Sequence, residues 1–235
     1  MDVVREPGWR RQEISAGIAA SLSAGLGLFP LGIAFGLLVA QSGLPLWAGP
    51  ALSIFGYAGS LELLLVGLMA TGTPLATIAL TTLLVNFRHV FYAFSFPIGA
   101  VRHPIAKAYS VYALTDEAYA ITASHDGRWT SPRLITLQLA LQAYWVGGGL
   151  AGLLIGSLMT TPIEGLEFAL CALFITLTLD ACRKWDQVPS LLLAALSFAV
   201  AAVAVPDQAL FAAMVLFLLL LAGRFLVAKK RGTIA

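Results

Sequence analysis

The stretch Thr81-Thr82-Leu83-Leu84-Val85-Asn86-Phe87-Arg88-His89-Val90-Phe91-Tyr92 sets an amide, a guanidinium and an imidazole close together inside a long apolar run. An arginine at the centre of a membrane helix costs about 2.5–3.5 kcal/mol on insertion scales. Such groups persist where they face protein or a water-filled cavity, so Asn86, Arg88, His89 and Tyr92 are candidates for a substrate or ion pathway. On a helix turning about 100° per residue, Thr82, Asn86 and His89 share a face. Arg88 points to the opposite side with Thr77, Thr81 and Ser95. A helix with two polar sides is either central in a bundle or broken near Asn86.

Two further clusters belong with it. Tyr109, Tyr112, Asp116 and Tyr119 recur at offsets of three and four, one stripe of a helix, with Glu117 about 100° away. The segment Phe55-Gly56-Tyr57-Ala58-Gly59-Ser60-Leu61-Glu62 combines two glycines, a serine and a carboxylate at membrane depth, the pattern of an interrupted helix. Gly25-Leu26-Gly27-Leu28-Phe29-Pro30-Leu31-Gly32 is a second expected interruption, because Pro30 lacks a backbone donor. Pro30, Gly56, Gly59, Ser60, Glu62, Asp116 and Glu117 therefore join the candidate pathway. Gly32 and Gly36, and Gly148, Gly152 and Gly156, are spaced by four and read as helix-packing positions.

The elements that carry these residues are membrane helices. Of 235 residues, 59% are hydrophobic and 11% charged, against about 25% charged in a typical soluble domain. So few charges cannot cover a water-soluble surface, and the chain reads as an all-α, polytopic membrane bundle. A net charge of +2 gives no reason to expect a nucleic acid partner. Apolar runs suggest spans at Ile14–Ala40, Leu46–Ala70, Leu75–Ala100, Ala108–Ala123, Arg133–Leu158, Phe168–Ala181, Val188–Val205 and Gln208–Val227. That is about eight, or six if early segments are half-helices or re-entrant. The first run is too long for a signal-peptide core of about 7–15 residues and reads as a retained span.

Cytoplasmic loops are enriched in Lys and Arg. Arg5, Arg10 and Arg11, then Arg128 and Arg133, then Arg183 and Lys184, then Arg224, Lys229, Lys230 and Arg231 all fall inside on an eight-span path. The acidic loops at Glu164 and Asp207 fall outside, and the Arg102/Lys107 loop runs against the rule. Both termini are expected in the cytoplasm, with residues 1–13 a tail, 14–228 one transmembrane domain and 229–235 a basic tail. Cys171 and Cys182 stand about 16 Å apart along a helix, too far for a disulfide, and read as packing residues.

Val85-Asn86-Phe87-Arg88-His89-Val90-Phe91-Tyr92 and Leu114-Thr115-Asp116-Glu117-Ala118-Tyr119 carry a resemblance. So do Phe29-Pro30-Leu31-Gly32-Ile33-Ala34-Phe35-Gly36, Tyr57-Ala58-Gly59-Ser60 and Trp145-Val146-Gly147. From about Ala16 onward the chain resembles the AzlC family of bacterial inner-membrane permease subunits, associated with azaleucine resistance and branched-chain amino-acid export. The resemblance implies a small membrane partner, AzlD, that completes the exporter. Relatives typically follow the Ala-Gly-Ser motif with Ala-Gln-Phe, where this chain has Leu61-Glu62-Leu63.

An exported amino acid is a zwitterion with an apolar side chain. It asks for a cation or helix N-terminus at its carboxylate and a carboxylate or carbonyls at its ammonium. Arg88 suits the first role and Asp116 or Glu62 the second. No phosphate-binding loop is present, so no ATP hydrolysis and no cofactor are expected. His89, Asp116, Glu117 or Glu62 could carry a coupled ion. The alternatives are a passive channel for a small solute, or an intramembrane enzyme using His89, Asp116 and Glu117.

Overall fold

A computed structural model describes residues 8–125, 127–159, 161, 163, 175, 188–206 and 209–230. Among these the chain is helical, in keeping with a composition that leaves backbone groups no water to bond with at membrane depth. The helices are α1 (Trp9–Gln41), α2 (Ala48–Ala51), α3 (Ser60–Ala70), α4 (Leu75–Asn86), α5 (His89–Tyr92), α6 (Pro104–Tyr112), α7 (Asp116–Ala123), α8 (Ser131–Leu158), α9 (Val188–Ala204) and α10 (Ala209–Lys230). A π-helical turn, Leu52–Gly56, follows α2, and a 3-10 turn, Ile98–Ala100, precedes α6.

Among the described residues, four stretches are long and apolar enough to cross a membrane: Trp9–Gln41, Leu75–Tyr92, Ser131–Leu158 and Ala212–Lys230. Ser60–Ala70 and Val188–Ala204 are shorter apolar helices. The expected span at 168–181, with Cys171 and Cys182, lies outside the described residues, as do Arg183, Lys184, Glu164 and Asp207.

The chain divides into two compact units. The first holds Met1–Ile78 and Val85–Leu166, and its spine is α1 packed along α8. The pairing is parallel. Gly17 lies against Arg133 and Thr136, Gly25 against Tyr144, Gly32 against Trp145 and Gly148, and Ala40 against Gly156. A Cβ at Gly32 would stand 2.6 Å from the Trp145 carbonyl oxygen, and one at Gly152 would stand 2.7 Å from the Ile33 carbonyl carbon. A Cβ at Gly36 would meet the Gly149 carbonyl and one at Gly148 the Phe29 carbonyl, so these glycines are where the two backbones touch. Phe35 and Val39 of α1 and Leu134, Leu137 and Leu141 of α8 are buried, and Phe35 stacks on Trp145 at 5.7 Å.

Two expectations are corrected here. The first is the interruption at Pro30. α1 runs unbroken through Pro30, which is exposed. The missing donor removes one rung, and contacts to α8 on either side, at Gly25 and Gly32, hold the helix across it. The helix itself starts at Trp9, so the expected span from Ile14 lies within it. The second correction is the single helix expected over Ala108–Ala123, which is two. The break at 113–115 ends α6 and starts α7, with Thr115 as N-cap accepting from the Ala118 amide.

The second unit holds Ala79–Leu84 and Glu167–Ala235. Within it α9 packs against α10, and Arg224 donates to the Ser190 hydroxyl at 2.7 Å.

Candidate functional site

The site is assembled from ends of helices. α4 stops at Asn86, a turn passes through Phe87 and Arg88, and α5 begins at His89. Of the two alternatives, a central helix or one broken near Asn86, the break is found. His89 stabilises it: its Nδ1 lies 2.9 Å from the Asn86 carbonyl oxygen, which can only accept, so Nδ1 carries the proton. Asn86 thus contributes its carbonyl to the break.

The turn aims Arg88 at the start of α7. One guanidinium nitrogen, Nη2, lies 2.8 Å from Asp116 Oδ2 and 3.4 Å from the Ser60 hydroxyl at the start of α3. Asp116 Oδ1 accepts from the Tyr92 hydroxyl at 2.8 Å. Tyr92 stacks on Tyr119 at 4.2 Å with the rings nearly parallel, and the Tyr119 and Ser95 hydroxyls are 3.0 Å apart. Residues from α3, the α4–α5 turn, α5 and α7 therefore converge on one ion pair. The pair uses one nitrogen and one oxygen, and its side chains keep 42% and 39% of their surface open. Both Asp116 oxygens are engaged and Arg88 Nε is buried without a hydrogen-bond partner, so a ligand bearing both charges would engage the pair from its half-exposed side.

Glu62 forms a separate centre. It is fully buried. Oε1 accepts from the Ala58 amide at 2.8 Å, the Gly59 amide at 3.2 Å and Trp145 Nε1 at 3.1 Å. Oε2 accepts from the Ser53 hydroxyl at 2.9 Å and from Trp145 Nε1 at 3.0 Å. The expected interruption at Gly56–Ser60 is present, and this carboxylate satisfies it. The chain leaves the π-helical turn with Tyr57 at φ 40° and Gly59 at φ 44°, left-handed values that free the amides Glu62 then binds. The Tyr112 hydroxyl bonds the Ile54 carbonyl freed in the same turn.

The break at 113–115 is satisfied in the same manner by α8. Gln138 Nε2 donates to the Ser110 and Ala113 carbonyls at 2.8 and 2.9 Å, and its Oε1 accepts from the Ser110 hydroxyl at 2.6 Å. Gln142 joins Tyr109 and Tyr112 through its amide. Ser53, Gln138, Gln142 and Trp145 were not singled out by sequence reasoning as pathway residues. The signal was there: Gln138, Gln142 and Trp145 sit at offsets of four and three on an otherwise apolar helix.

Of the candidate pathway residues, the structure brings Arg88, Asp116, Tyr92 and Ser60 together. Asn86 and His89 build the adjoining turn, and Gly59 and Glu62 build the neighbouring break. Glu117 is half-buried and lies within electrostatic reach of Tyr57. Pro30 and Gly56 are exposed and hold no part of the ion pair. Among the described residues no group of three or more His, Cys, Asp or Glu side chains comes together to hold a metal.

A sequence profile described as "AzlC protein" matches residues 23–159, the span that holds the ion pair and all three breaks. The chain belongs to the AzlC family. Its relatives are membrane proteins. The AzlC homologue of Bacillus subtilis strain 168, named a branched-chain amino acid transport protein, is 30% identical over 67% of this chain and 63% of its own. A membrane protein of Helicobacter pylori strain J99 is 30% identical over 70% of this chain and 73% of its own. The inner membrane protein YgaZ of Escherichia coli K12 is 26% identical over 72% and 73%. No solved structure matches. The Arg88–Asp116 pair falls in the region that the AzlC profile matches.

Proposed function

We propose that this chain is the large subunit of a bacterial inner-membrane secondary exporter for small hydrophobic, branched-chain amino acids, ion-coupled and completed by a small AzlD-like membrane subunit. The observation that carries the reading is the half-open Arg88–Asp116 pair, set on the ends of discontinuous helices. A zwitterion can replace that contact without leaving net charge behind: its carboxylate takes Arg88 and its ammonium takes Asp116. The stacked Tyr92 and Tyr119 rings offer an apolar wall beside the ammonium site. The substrate class itself comes from the name of the Bacillus subtilis relative.

Orientation follows from charge. Because α1 and α8 run parallel, Arg10 and Arg11 at the head of one and Arg128 and Arg133 at the head of the other gather at one end of the pair. By the positive-inside rule that end is cytoplasmic, which puts the N-terminus inside. The C-terminus is also read as cytoplasmic, from its basic tail.

The test is efflux of labelled leucine, isoleucine and valine from proteoliposomes holding the chain with and without the small subunit. The reading expects saturable flux of these three, dependent on an ion gradient and on the second subunit. Absence of flux for all three with both subunits present would refute it.

A further inference from the structure

We propose that Glu62 is a proton-binding site of this transporter, built so that the charged and neutral carboxyl fit the same fold, with the Ser53 hydroxyl as the group that reverses. The inference rests on the transport reading for its use, but the site itself can be tested without transport.

The two oxygens of Glu62 have unequal surroundings. Oε1 faces N–H donors only, the amides of Ala58 and Gly59 and the indole of Trp145. These cannot accept, so a proton has no partner there. Oε2 faces a hydroxyl at 2.9 Å and shares the same indole N–H at 3.0 Å. A hydroxyl donates or accepts as required. When a proton arrives from water and bonds Oε2, Ser53 turns to accept it, and Trp145 Nε1, already 3.1 Å from Oε1, stays with that oxygen. One O–H bond forms, one hydroxyl rotates, and the two amides and the indole keep Oε1 as their acceptor. A carboxylate meant only as a fixed cap would gain nothing from a reversible partner.

Nothing in the contacts locks the charge. All the bonds to Glu62 come from neutral donors. The elements around it present few titratable groups. The Tyr57 hydroxyl from the unwound turn and Tyr112 from α6 lie within electrostatic reach, and Glu117 and Tyr109 act on Tyr57 in turn. α8 presents Trp145, and α1 presents Phe35, stacked on that indole. The nearest described cation by chain connection is Arg88, bonded to Ser60 and paired with Asp116. Tyr112, which is exposed, bonds the Ile54 carbonyl beside Ser53, and its ring lies 5.9 Å from Tyr57. Because Glu62 sits two positions from Ser60, which reaches Arg88, a change in its charge acts on the segment that also touches the ion pair.

The test is infrared difference spectroscopy of the purified full-length protein in lipid vesicles as pH is lowered. Wild type is expected to gain a carboxylic-acid C=O band that Asp116→Asn retains and Glu62→Gln lacks. Wild-type and Glu62→Gln spectra that superimpose throughout would overturn the proposal. Ser53→Ala keeps the carboxyl and removes its reversible partner, so the band is expected to move in frequency; a band indifferent to Ser53 would also overturn it. In proteoliposomes, Glu62→Gln mimics the neutral state, its amide nitrogen donating to Ser53. It is expected to lose the dependence on pH that wild type has. An unchanged pH profile would remove Glu62 from coupling. No leucine flux in either protein would count against the transport reading instead and leave the infrared result standing.

Discussion

Two glycines of the same helix should respond oppositely to the same substitution. At Gly36 of α1 an added Cβ would meet the Gly149 carbonyl and the Leu153 amide, and lie 2.8 Å from the Gly152 carbonyl carbon, all α8 backbone. Carbon atoms pack at about 3.5–4.0 Å, so α1 and α8 would have to part by roughly 1 Å at that point. A gap of that size forfeits about a quarter to a half of each affected contact, and Phe35 and Val39 flank it. Overpacking of this kind costs about 1–3 kcal/mol. At Gly27 an added Cβ meets nothing within 4 Å. There alanine only replaces the poorer helix former, a gain of about 0.5–1 kcal/mol. Thermal unfolding of each variant in one detergent, at one heating rate and followed by tryptophan fluorescence, separates the two. At about 2–4 °C per kcal/mol for a chain of this size, Gly36→Ala should fall several degrees below wild type and Gly27→Ala should match or exceed it. Equal midpoints for the two variants would refute the close approach of α1 and α8.

Glu62→Ala removes the acceptor for two backbone amides and an indole N–H, at about 1–3 kcal/mol for each donor left unpaired. It should fail to purify as a folded species where Glu62→Gln survives, as read by size-exclusion profile. Tyr92→Phe deletes one hydrogen bond to the Asp116 carboxylate while keeping the ring stack on Tyr119. A bond to a charged group contributes about 1.5–3 kcal/mol to stability, so Tm in the same unfolding assay should fall by several degrees, and an unchanged Tm would count against the Tyr92–Asp116 bond. In a variant freed of Cys171 and Cys182, single cysteines at positions 11 and 133 should be labelled from the same side of the membrane by an impermeant maleimide. Labelling from opposite sides would contradict the parallel pairing.

Much of this arrangement was legible in the residues. Membrane class and helicity follow from composition, and the break at Gly56–Ser60 follows from glycines placed where a helix disfavours them. Arg88 and Asp116 stood out because each is expensive in hydrocarbon. The sequence did not say that they meet, because their partnership depends on the turn at Phe87–Arg88, where the His89 imidazole bonds the Asn86 carbonyl and the Phe87 and Arg88 carbonyls bond amides of the next turn. The Pro30 expectation failed because a lost rung is a local cost, whereas the glycine seam that offsets it is spread over α1 and α8. Both glycine stripes were visible, but small-residue spacing does not name its partner. The role of α8 was the least visible. Gln138 and Trp145 act on backbone groups freed in other segments, and an amide on an apolar helix carries no mark of which carbonyl it will reach.

The central claim, that the Arg88–Asp116 pair is where substrate binds, is tested most directly by equilibrium binding of labelled leucine to the purified protein with its small subunit, wild type against Asp116→Asn. Asparagine keeps the shape and the Tyr92 contact but cannot pair with the substrate ammonium, and truncating one partner of a hydrogen-bonded charge pair costs about 2–5 kcal/mol. Affinity should fall by at least about tenfold. Undiminished leucine affinity in Asp116→Asn would contradict the account.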